Sequence, residues 1–154
     1  RRWPVLGHLA RAAWPDLTGR CHIEVTAVPR GAGPTFVVDA IFRGRSVGRV
    51  SLHKGYVGEM SPEEWWLSGE YVEPLYRRRG VATAVLTEAL NLAQREGAKE
   101  VRIATATSNK PNLALLTRLG FTVETDPTRA RQLNAYFQSI NPHALPVVVL
   151  RRGL

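Results

Sequence analysis

The sequence predicts a mixed α/β domain in which an antiparallel meander leads into a strand–helix–strand crossover, and three observations carry that expectation. Short segments rich in β-branched and aromatic residues follow one another over residues 22–72, separated by Gly- and Pro-containing turns. The apolar spacing then switches to helical, with Val81, Val85 and Ala89, joined by Ala82, Leu86, Leu90 and Ala93, on one face. A strand-like segment returns at residues 100–107, with Val101, Ile103 and Thr105 on one side, so strand, helix and strand imply a parallel, right-handed crossover.

The first 20 residues carry Leu6, Leu9, Ala10 and Ala13 at helical spacing, interrupted by Pro4 and Pro15, and predict one short helix. Residues 22–28 alternate, residues 35–42 are rich in Val, Ile and Phe, and residues 46–53 alternate through Val47, Val50 and Leu52. A Pro/Gly turn at 29–34 and a tight Arg43-Gly44-Arg45 connection join these strands. After a Gly-containing loop, residues 64–72 form a fourth strand, with Trp66, Ser68, Glu70 and Val72 expected on one face and Trp65, Leu67, Gly69 and Tyr71 on the other.

Glu73-Pro74 stops that strand, a helix runs from about Arg79, and Glu96-Gly97 closes it with the residue a left-handed C-terminal cap requires. Ser108-Asn109-Lys110-Pro111 opens a second helix with a cap residue and a proline in the first turn. That helix carries Leu113, Leu116 and Leu119 and ends at Gly120. Residues 121–125 read as a strand, residues 128–140 equally as a helix or an ordered loop, and residues 145–150 as a closing strand.

The 154 residues make one domain, with an ordinary balance of 44% hydrophobic and 22% charged residues. The only cysteine, Cys21, excludes an internal disulfide framework and a cysteine-rich zinc site, and no metal site is expected. A reducing, cytoplasmic setting is the corresponding expectation. No apolar run approaches the roughly 18 residues of a membrane span. The chain begins Arg1-Arg2-Trp3 without a methionine, as a piece of a longer polypeptide would. A net charge of +8 attracts polyanions, and by itself it does not separate nucleic acid, a phosphorylated ligand and plain solubility.

The chemistry concentrates where the first helix begins. Arg77, Arg78 and Arg79 crowd the positive end of the helix dipole, where cations are unfavourable unless an anion sits among them. Gly80 and Ala82 keep the turn bare, so a phosphate can approach the free N–H groups of the first turn. Three arginines on a solvated surface are the bland alternative. A strand, a small-residue turn and a helix start in one register favour a pyrophosphate cradle.

These residues resemble the GNAT superfamily of acetyl-CoA-dependent N-acetyltransferases. Its pyrophosphate loop, Arg or Gln, two residues, Gly, one residue, Gly or Ala, reads here Arg77-Arg78-Arg79-Gly80-Val81-Ala82, preceded by Val72-Glu73-Pro74 for the family's Val-x-Pro. Its second motif, an Asn early in the next helix followed by Gly-Phe, is matched by Asn109 and Gly120-Phe121. The resemblance covers about residues 64–125, the expected acetyl-CoA-binding core. It implies that backbone N–H groups from Arg78 through Arg79, Gly80, Val81 and Ala82 to Thr83 bind the pyrophosphate. Backbone groups of Glu70, Tyr71 and Val72 would pair with the pantetheine arm at a strand splay, and Asn109 would bond that arm or cap its helix.

The implied reaction is direct attack of a primary amine on the thioester through a tetrahedral intermediate, with acetyl-CoA as co-substrate. An amine titrating near 10.4 must first lose a proton, and Glu70, a carboxylate in a strand expected to be central, is the candidate base. An ion pair with Arg49 or Arg45 is its bland alternative, and Glu64 and His53 are secondary candidates. Two departures from the family stand out: Leu116 replaces the Tyr that often protonates the leaving thiolate, and only a turn separates the first two strands where the family usually has two helices. Tyr136 is a remote substitute acid.

Competing readings are a CoA-binding sensor without turnover, which Leu116 favours and Glu70 opposes, and a basic nucleic-acid binder. Against the binder, the aromatic residues are not interleaved with the arginine clusters as stacking platforms would be. Basic charge favours an acidic small molecule or a peptide N-terminus as the acceptor amine, with Trp65 and Trp66 either lining its groove or in the core. An exposed final strand would permit a homodimer.

Overall fold

The computed structural model describes residues 17, 20–30, 33–56 and 62–154. The expected N-terminal helix lies outside the described residues. Among the described residues seven strands form one sheet in the order β1-β2-β3-β4-β5-β7-β6. The strands are β1 (His22–Arg30), β2 (Gly33–Phe42), β3 (Arg45–Lys54), β4 (Trp65–Val72), β5 (Glu100–Ala106), β6 (Thr122–Val123) and β7 (Val147–Gly153). Helix α1 (Val81–Arg95) joins β4 to β5, α2 (Lys110–Arg118) joins β5 to β6, and α3 (Thr128–Ile140) joins β6 to β7.

β1 to β4 are the expected antiparallel meander, and β4 pairs with β5 in parallel. The β2–β3 hairpin turns on Arg43 and Gly44 at φ 53° and 78°, the doubly left-handed turn whose twist matches a tight hairpin.

The main core lies between α1 and the meander. Val81, Val85, Leu86 and Ala89 meet Val38, Val47, Val50, Leu52 and Leu67, all buried. Close approach is built into β3: a Cβ on Gly48 would stand 2.4 Å from Val81 Cγ1. Gly48→Ala therefore pushes the first turn of α1 off the sheet, and a loss of about 1–3 kcal/mol in unfolding free energy is expected from urea titration.

The opposite face is covered by α3, which settles the helix-or-loop alternative for residues 128–140. Leu133 is fully buried against Trp66 and Val149, with Ala130, Phe137 and Tyr56 around them. Ala130, Leu133 and Phe137 fall at the spacing of one helical face. Trp66 is thus core, and Trp65 is half-buried with the Lys54 ammonium 5.4 Å from its ring centroid.

The closing strand is not an edge, contrary to expectation. β7 lies between β5 and β6, and where β6 ends, Asn134 of α3 takes over. Its Oδ1 accepts from the Val147 N–H at 2.8 Å and its Nδ2 donates to the Val147 carbonyl at 3.2 Å.

Buried ion pairs tie these layers together. Arg102 on β5 donates to Glu124 and Glu100, both at 2.7 Å, and Arg129 on α3 donates to Glu64 and Glu124. Arg102 and Glu124 are 7% and 6% exposed, so removing the cation leaves a buried carboxylate with only the longer Arg129 contact at 3.4 Å. Arg102→Ala should lower stability by about 3 kcal/mol, read from chemical denaturation.

Candidate active site

β4 and β5 are paired only at Trp66–Arg102 and Leu67–Ile103. Beyond these residues each strand keeps its other neighbour, β3 reaching Val72 and β7 reaching Ala106, but the two no longer pair with each other. A wedge therefore opens inside the sheet, flanked by the facing backbone edges of residues 68–72 and 104–106. Such edges are templates for an extended ligand.

A bulge accompanies the divergence. The β3–β4 register shifts between Arg49, opposite Tyr71, and Ser51, opposite Ser68, and Gly69 has φ 64°. An inserted residue with a left-handed glycine bends its strand and re-aims the following side chains. The expected alternation along β4 is broken there. Trp66 joins the core under α3, whereas Val72 joins the core under α1.

Past Val72, a single 3-10 turn (Pro74–Tyr76) leads into the arginine loop. The three arginines do different things. Arg77 Nε donates to the Val72 carbonyl at 2.8 Å, and its guanidinium lies 5.6 Å from the Tyr71 ring centroid. Arg79 turns inward, 4% exposed, with its guanidinium 5.4 Å from the Tyr76 ring centroid. Its carbonyl accepts from the Leu17 N–H. Arg78 is exposed, at φ 59°. Gly80 begins α1 at φ 84°, and among the described residues no side chain caps the helix and no acid lies in its first turn. The positive end of α1, formed by Val81, Ala82 and Thr83, lies by the C-terminal end of β4, where the Val81 and Val72 side chains meet over Gly48.

Glu70 follows the bulge, in the segment that has left β5. Its Oε2 is buried and accepts no hydrogen bond among the described residues. Burial pushes the carboxyl up to about 6. The alternative ion pairs do not form: Arg49 bonds Asp39 at 2.8 Å and Arg45 bonds Glu73 at 2.6 Å.

The secondary candidates are engaged elsewhere. Glu64 is bound by Arg129, which holds its carboxyl below the usual range. His53 Nδ1 lies 2.7 Å from the Gly55 carbonyl, so this nitrogen carries the proton, and Nε2 lies 2.7 Å from Ser68 Oγ.

Asn109 caps α2, its Oδ1 accepting from Asn112 N at 3.2 Å, which is one of the two roles expected of it. Leu116 is fully buried core. Tyr136, 40% exposed on α3, packs edge-on to Phe137. Glu70, Tyr71, Val72 and residues 77–83 come together at the C-terminal end of β4, and Asn109 lies just past the C-terminal end of β5. Parallel strands in open sheets receive ligands at this end. Sequence reasoning did not single out Gly69 or Gly48, although a lone Gly inside a strand pattern is the signal of a bulge or a close approach.

Known structures share this architecture. Among curated proteins no sequence match is found. The fold matches the IAA acetyltransferase from Bacillus cereus at TM-score 0.63 and 16% identity, covering 86% of this chain and 100% of that one. It matches a GNAT family acetyltransferase from Elizabethkingia anophelis with acetyl-CoA bound at 0.62 and 13%, covering 86% and 98%. The PaiA N-acetyltransferase from Thermoplasma acidophilum in complex with coenzyme A matches at 0.56 and 16%, covering 78% of this chain and 61% of that longer protein. Identities at this level speak for the fold alone, but the sequence itself matches the Acetyltransferase (GNAT) family over residues 3–121. The chain belongs to the GNAT acetyltransferase family, whose acyl donor is acetyl-CoA.

Proposed function

We propose that this protein transfers the acetyl group of acetyl-CoA to a primary amine, with Glu70 as general base. The observation that carries the reading is the wedge between β4 and β5 opening directly beside the arginine-lined start of α1. The pyrophosphate would be held by the N–H groups from Arg78 to Thr83, with Arg78 as the exposed counter-charge. The pantetheine arm would lie along residues 70–72 like an added strand.

The amine nitrogen attacks the thioester carbon, its proton passes to Glu70, the C–S bond breaks, and the thiolate leaves with its electron pair. A base that titrates near 6 is ionised at neutral pH while still basic enough to take that proton. With Leu116 in the core, the thiolate is protonated by water, which an ordinary thiol pKa near 8.5 permits at some loss of rate. The acceptor best suited to the net charge of +8 is an acidic small molecule or a peptide N-terminus.

A CoA-responsive sensor without turnover is the second reading, and Leu116 is what favours it. A panel of amines assayed beside the thermal shift with CoA separates the two. Stabilisation with acetyl transfer to at least one amine supports the enzyme, and stabilisation with no transfer to any amine supports the sensor.

A further inference from the structure

We infer that the cavity between α1 and the C-terminal end of α2 is a binding site for a small phosphate monoester, separate from the acetyl-CoA site. The cavity holds about 350 Å³, within the range of small-ligand pockets. Arg118 and Arg152 both line it. Among the described residues Arg118 and Arg152 reach no carboxylate, in common with Arg20, Arg43, Arg77, Arg78 and Arg131, and here two such arginines line one concavity. Two guanidiniums on one concave surface repel each other unless an anion lies between them. Their planar forks suit a phosphate bidentately.

The rest of the lining says what the phosphate is attached to. Asn91 and Thr87 add neutral hydrogen-bonding groups, and the half-buried Leu119 supplies an apolar surface that a bare inorganic ion would leave uncovered. Arg152 is held against the loop after α2: a Cβ on Gly120 would stand 3.0 Å from its Nε.

The position excludes the diphosphate cradle. Asn91 lies about 15 Å along α1 from Val81 at 1.5 Å per residue. Arg152 is paired with Val101, at the end of β5 opposite Ala106 and the α2 cap.

The test is isothermal titration of phenyl phosphate at fixed ionic strength, into protein saturated with CoA and, separately, into the Gly80→Glu protein, whose cradle carries its own anion. Saturable binding is expected in both. Arg118→Gln and Arg152→Gln should each weaken it by about tenfold, while leaving CoA affinity unchanged. Asn91→Asp, an exposed helix position that brings a carboxylate into the cavity, should abolish it without touching the packing. No saturable binding, binding that CoA displaces, or undiminished affinity in both Gln variants overturns the assignment.

Discussion

Gly80→Glu is expected to abolish CoA binding while leaving the far-ultraviolet circular dichroism spectrum largely intact. The substitution places a carboxylate at the start of α1, where Gly80 sits at φ 84°. An internal anion there satisfies the helix end and repels a diphosphate, and each charge-assisted hydrogen bond to that diphosphate is worth about 1.5–3 kcal/mol. The left-handed backbone also resists any side chain, at a cost of about 1 kcal/mol to the fold. Gly80→Ala therefore serves as the control, since it carries the strain without the charge. Titration calorimetry on both variants separates the contributions. Retained affinity in the Glu variant would remove the cradle from α1 altogether.

Glu70→Gln should lower kcat/KM for an amine acceptor by about 10³-fold with CoA affinity preserved. The pH profile carries the finer information. Because burial raises this carboxyl to about 6, wild-type activity should climb through pH 6 as the base ionises, and the variant should lack that limb. Stability gives an independent reading with a definite sign. A carboxyl whose folded pKa lies above its unfolded value of 4.5 binds its proton more tightly in the folded state. The ionised form consequently weakens the fold as pH rises from about 4.5 to about 6, and that loss persists above it. The Gln variant should be the more stable protein at pH 7, with the difference vanishing below pH 4.5. An unchanged profile together with unchanged melting would show that Glu70 neither ionises in this environment nor accepts the proton.

Much of this was legible in the chain because its signals are local. Alternation, turn residues and helical spacing located the described strands and the helices α1 and α2 to within a few residues, and Arg77-Arg78-Arg79-Gly80-Val81-Ala82 announced the helix start that lies at the wedge. What escaped depends on contacts between segments distant in sequence. The splay of β4 from β5 was expected through the family resemblance alone, since nothing in Trp65–Val72 itself announces that the pairing stops at Leu67. The bulge at Gly69, which moves Val72 to the face opposite Trp66, was not foreseen. The inward turn of Arg79 depends on Tyr76 and on Leu17. The amphipathic face of α3 was ambiguous because only one of its positions, Leu133, is fully covered. Charge pairing was the least visible. Arg102 in a buried strand looks like an error until Glu124 and Glu100 are brought to it.

The amide of Asn134 has a consequence for assembly. By mimicking the donor and acceptor of a neighbouring strand, it closes Val147, so sheet-to-sheet joining of two copies on that flank is left only the two residues of β6 to pair with. Among the described residues the longer open border is the other one, β1, nine residues long, where Val25 and Val28 are each 42% exposed.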